Sequence, residues 1–86
     1  MSYPFDQESD LEDRKELDLE MLREDLIAEL QAINQYQEHI ETLEDEEAIG
    51  VLEHIRDEEK EHVAKLLKLV QMLDRVQAEK LKKEML

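Results

Sequence analysis

Apolar residues recur at alternating steps of three and four along two long stretches of this 86-residue chain. Leu19, Leu22, Leu26, position 29, Ile33, Tyr36, Ile40 and Leu43 form the first stripe; Ala48, Leu52, Ile55, positions 59 and 62, Leu66, Leu69 and Leu73 form the second. A 3.5-residue repeat with charged flanks keeps one side of an α-helix apolar and predicts helices packed side by side. One Gly and one Pro leave too little turn chemistry for a β-sheet. The expected fold class is therefore all-α, an antiparallel two-helix hairpin turning at Glu44-Asp45-Glu46. Acids at that point also suit the positive end of the second helix's dipole. Asp74, followed three residues later by Gln77, predicts a capping box that opens a short C-terminal helix with Val76, Leu81 and Met85 inward. Residues 1–8 read as a mobile N-terminal lead-in, 9–74 as the hairpin and 75–86 as the tail helix.

A hairpin alone leaves part of each stripe facing water, and small chains are marginal for that reason. Two hairpins related by a twofold axis would close a four-helix bundle, so self-association is expected. Eleven Lys and Arg stand against 25 Asp and Glu, a net charge of −14. Such a chain is repelled by nucleic acid and by anionic membranes, and suits a cation as ligand. The absence of cysteine excludes a disulfide framework, a zinc ribbon and thiol catalysis. No leader-like or membrane-spanning apolar run is present, so a cytoplasmic protein is expected.

Three seam positions are polar: Glu29, Glu59 and His62. Buried carboxylates cost on the order of several kcal/mol each unless something neutralises them. Arg56, Lys60, Lys65 and Lys68 fall off the stripe, so no base is expected to serve. A turn near Asp45 brings residue i level with roughly 90 − i, and at about 1.5 Å per residue all three polar groups lie roughly 23–24 Å from it. Glu59 and His62, three apart, share one helix face. Di-iron carboxylate bundles use a Glu from each of two helices and a Glu-x-x-His pair from each of two others. This chain holds one of each, which is half a site; two chains would supply four carboxylates and two imidazoles. Two ferrous ions would cancel those four negative charges, and the donor set suits iron or manganese better than copper.

Several other residues read as structural. His39 and His54 are expected at the surface or the seam edge, Glu58 and Glu61 on the solvated face, and Met21, Met72 and Met85 in packing. Tyr36 is either core filling or a hydroxyl bonded to a nearby carboxylate. Gly50, costly inside a helix, suggests a close helix approach.

The segments ELQAINQY (Glu29 to Tyr36) and RDEEKEH (Arg56 to His62) resemble the paired helices of encapsulated ferritins, the half-length ferritin-like proteins of encapsulin nanocompartments. The similarity runs from about Leu22 to Asp74. The resemblance implies a ferroxidase that oxidises Fe(II) with dioxygen for iron storage or detoxification. Its di-iron site would form only across a dimer interface, two irons per dimer, in a ring of five dimers inside an encapsulin shell. Glu29, Glu59 and His62 match the family's iron ligands, and Tyr36 a tyrosine near the site. Ala28 and Gln31 stand where the family often carries the acids that admit iron. No shell-targeting extension is recognisable in the ending Lys82-Lys83-Glu84-Met85-Leu86, which fits a truncated chain, a different encapsulation route or fusion to the shell protein. Two alternatives remain on the sequence: a rubrerythrin-like peroxidase drawing on an external electron donor, and a metal-free helical scaffold whose polar seam residues fix register.

Overall fold

The computed structural model describes residues 7–85, which form α1 (Gln7–Thr42), α2 (Glu46–Leu73) and α3 (Arg75–Glu84) and no strand. The protein is all-α. Of the lead-in expected over residues 1–8, positions 1–6 lie outside the described residues, while Gln7 and Glu8 are already helical. The 36-residue α1 thus begins well before Leu19, the first residue of the apolar stripe. Its opening turns are polar and give no apolar period to read. They contain no helix breaker, their acids complement the helix dipole, and Arg14 pairs with Asp10 one turn back at 3.3 Å.

Residues 43–45 connect α1 to α2. Asp45 is extended (φ −73°, ψ 118°), and its carboxylate accepts the Ala48 N–H at 2.8 Å, capping α2. Asp74 ends one helix and starts the next. Its own N–H donates to the Val70 carbonyl at 2.8 Å, and its carboxylate accepts the Gln77 N–H at 3.0 Å. Only one of the two reciprocal capping-box bonds forms, because the Asp74 N–H is already engaged. Arg23 on α1 donates to the same carboxylate at 3.0 Å, which ties the α2–α3 corner to the first helix.

The Gln77 N–H and then Arg23 hold the Asp74 carboxyl below its ordinary value near 3.8. A folded-state value below the unfolded one stabilises the corner above the ordinary carboxylate range, and that contribution fades as pH falls through the depressed value. Amide protection in α3, taken relative to the intrinsic exchange rate at each pH, should accordingly fall at acid pH before protection in α1 and α2 does. Asp74→Ala should produce the same selective loss at neutral pH; uniform acceleration in all three helices would contradict this role.

Leu19 and Val70 alone are fully buried among the described residues, at 4% and 3% exposure. The inner stripe of α2 runs through Leu52, Glu59, Val63, Leu66 and Val70, and the expected member Leu69 is 42% exposed. The C-terminal half of α2 is apolar over a wide arc, so two adjacent stripes satisfy the same repeat. The hairpin buries one and leaves the other open. Arg56 corrects a second expectation, for a base does share the seam: its guanidinium donates to Gln37 Oε1 at 2.8 Å and to Asp57 Oδ1 at 3.1 Å.

Val76 and Met85 point to solvent rather than inward, and Met21 and Met72 are exposed rather than packed. The molecule measures 67 × 38 × 14 Å, and its shortest dimension is close to the width of one helix, about 10–12 Å. This is a single layer of helices with an uncovered apolar surface. No helix among the described residues is long and apolar enough to cross a membrane.

Gly50 does not mark a close approach within the subunit, since a Cβ added there would meet nothing within 4 Å. Gly50→Ala should raise the stability of the isolated subunit by about 0.5–1 kcal/mol, read as a shifted urea midpoint with unchanged slope. A lower midpoint would contradict open space around Gly50 within the subunit.

Candidate metal centre

Glu29 projects from the middle of α1, and Glu59 and His62 project from consecutive turns of α2. The three meet across the hairpin. One ligand atom from each lies within 4.8 Å of the others. His62 Nδ1 stands 3.6 Å from Glu29 Oε2 and 3.5 Å from Glu59 Oε2. Neither contact closes to hydrogen-bond length, so two acceptor oxygens and a ring nitrogen converge without satisfying one another. Glu29, Glu59 and His62 are 26%, 17% and 45% exposed at their side chains, with the imidazole nearest the surface.

Glu29 Oε2 is buried and has no hydrogen-bond partner. An oxygen in that state usually carries a cost of about 1–3 kcal/mol, which a bound cation would remove. No Lys or Arg among the described residues pairs with Glu29 or Glu59. Arg56 is engaged with Gln37 and Asp57, and Lys65 Nζ lies 3.9 Å from Glu61. The donors fit a hard or borderline divalent ion, namely carboxylate oxygen with one imidazole nitrogen. Three donors leave such an ion several positions short of a full shell, so the set in one subunit is incomplete.

The site opens into a groove of about 310 Å³ lined by Asp25, Ala28, Glu29, His62, Lys65 and Leu66. Asp25 and Lys65 were not expected from the apolar pattern. The available signal was spacing: Asp25 is four residues before Glu29, and Lys65 is three after His62. Ala28 offers the groove no ligand.

Tyr36 lies two turns from Glu29, about 10 Å along the helix, and does not line the groove. His54 is exposed and pairs with Glu58 at 2.9 Å, and Glu61 is exposed on the same helix. None of these four belongs to the Glu29–Glu59–His62 group, nor does His39, which faces solvent near the end of α1.

Comparison with known proteins bears on this geometry. The sequence profile of the family described as EncFtn-like matches residues 5–86. The chain is also similar to the encapsulin nanocompartment cargo protein EncC of Myxococcus xanthus (strain DK1622). The two are 43% identical over 68 residues, which is 76% of this chain and 52% of that protein. The chain thus spans about half the length of the curated relative it matches.

Proposed function

This chain belongs to the EncFtn-like family, and from that premise we propose that it is a ferroxidase acting on ferrous iron with dioxygen. The observation that carries the reading is the buried Glu29 Oε2, which has no hydrogen-bond partner and faces Glu59 and His62, with no Lys or Arg among the described residues paired to it. Fe(II) is the substrate. Each subunit offers half of a site, and a second subunit supplies the other half. The four carboxylates then balance two ferrous ions, so the charge of the filled layer is zero with neutral imidazoles.

Glu29 and Glu59 bind or bridge the two ions, and His62 completes the shell of each. Hard anionic oxygens favour the higher charge of the oxidised ion and so assist the loss of one electron from each iron. Dioxygen accepts the two electrons and, with two protons from water, leaves as hydrogen peroxide. Holding both ions in one layer lets a single encounter with dioxygen collect the pair. A one-layer hairpin encloses no storage volume, so the ferric product leaves the site for mineral growth elsewhere. Similarity to an encapsulin cargo protein supports a shell lumen in the cytoplasm as that place, with the dimer as the minimal unit and a ring of five dimers as the assembly.

The test is aerobic mixing of the protein with Fe(II), following ferric absorbance and oxygen uptake together. Oxidation well above the buffer rate, saturating with iron, is the expected result. Oxidation at the buffer rate, or consumption of peroxide outpacing that of oxygen, would contradict it.

A further inference from the structure

The stripe of α2 that the hairpin leaves open has a symmetry of its own. Its centre is His62, which faces the groove beside Glu29. At helical steps of three and four on either side stand Glu58 and Lys65, then Ile55 and Leu69, then Val51 and Met72. Laid antiparallel against a second copy of itself, this stripe sets Glu58 opposite Lys65, Ile55 opposite Leu69, and Val51 opposite Met72. Acid meets base, and apolar meets apolar, on both sides of one axis. Val51, Leu69 and Met72 are exposed in the subunit, while Ile55 is half-buried at the edge of the seam.

The matching edge of α1 is centred at the same height. Ala28 and Ala32 lie on it, and their midpoint is residue 30. Because Glu29 meets His62 across the hairpin, residue 30 lies level with about residue 61, close to the midpoint of Glu58 and Lys65. A single twofold axis therefore serves both helices. Two alanines facing two alanines let the α1 helices approach closely. That axis crosses the layer of Glu29, Glu59 and His62, where the half-sites must meet.

We propose that the open α2 stripe is a self-complementary docking surface for a second copy of this chain, with reciprocal Glu58–Lys65 ion pairs setting the register that joins the two half-sites. The proposal rests on the shared-site reading above and adds what selects and aligns the partner. Glu58 now bonds His54 at 2.9 Å and Lys65 approaches Glu61 at 3.9 Å, both at the surface. Such exposed pairs hold weakly and exchange readily for partners across an interface. Charge opposition of this kind chiefly rejects wrong registers.

The experiment is charge exchange read by native mass spectrometry on metal-free protein in chelator. Glu58→Lys alone and Lys65→Glu alone each place like charges opposite one another twice, and each should weaken its own dimer by roughly tenfold or more. Mixed in equal amounts, the two variants meet with every pair complementary, and dimers holding one copy of each should return to the wild-type level. Single variants that dimerise like wild type, or a mixture no better than either alone, would overturn the proposal.

The chain has no cysteine, so disulfide trapping gives a second reading even where the metal-free dimer is transient. Ile55→Cys/Leu69→Cys should crosslink two copies under mild oxidation. The same two positions within one chain lie about 21 Å apart along the helix, too far to bridge. Either cysteine alone should not crosslink. Absence of crosslinking in the double variant, or equal crosslinking by a single one, would likewise overturn the register. Because both readings are metal-free, failure here leaves iron oxidation to its own assay, and failure of that assay leaves this docking intact.

Discussion

Under the proposed function, Glu29→Ala should sharply slow iron oxidation and, in the metal-free protein, should raise the thermal midpoint. Loss of groups that merely support metal ligands commonly costs ten- to a hundredfold, so loss of a ligand itself should lower the oxidation rate by on the order of a hundredfold or more. The stability effect has the opposite sign. Glu29 Oε2 is buried without a partner, and the Glu29 side chain is 26% exposed. Removing such an oxygen should release about 1 kcal/mol, the low end for an unsatisfied group because water reaches part of the side chain. In a domain of this size that is a shift of a few degrees. A scaffold role predicts the gain in stability without a rate to lose, and a role in packing predicts a loss of stability. Paired calorimetry and ferric absorbance separate the three.

Ferrous iron under anaerobic conditions should strengthen the dimer by a large factor. An ion that binds the paired state alone stabilises it by about 4 kcal/mol at a thousandfold excess over its dissociation constant, roughly a thousandfold in the dimer equilibrium. The subunit has the features this coupling needs: a one-layer shape, an uncovered apolar surface and an incomplete donor set. Chelation should reverse the shift, and His62→Ala should abolish it, since each ion would then lose its nitrogen donor. Sedimentation velocity with and without chelator reads both. Equal dimerisation in the two conditions would mean that docking and metal binding are separate events.

Much of this arrangement was legible in the sequence, for identifiable reasons. The 3.5-residue repeat specified two helices, and the acidic break specified the turn, although the cap at Asp45 comes one residue before α2 begins. The convergence of Glu29, Glu59 and His62 followed from counting equal lengths back from that turn, which works because α-helical rise is nearly constant. What the repeat could not decide was which of two neighbouring stripes on α2 faces α1. Leu66, Leu67, Leu69, Val70, Met72 and Leu73 make that end apolar on most sides, so Leu69 and Val70 were equally eligible. Tertiary packing chose Val70.

Arg56 was misplaced by the same ambiguity, since a one-residue rotation moves it from the flank to the seam. There its long apolar stem packs while the guanidinium reaches Gln37 and Asp57. The start of α1 was invisible for another reason. Residues 11–18 are exposed in the subunit, so they carry no apolar period. Val76 and Met85 were expected inward because apolar residues on a short helix need cover, and α3 makes none of its packing contacts with α1.

Anaerobic titration of the protein with Fe(II), read by native mass spectrometry, tests most directly the claim that the site is divided between two chains. The expected spectrum has two irons on each pair of chains and none on single chains. One iron bound stably to an isolated chain, or pairs that stay free of iron at saturation, would contradict it.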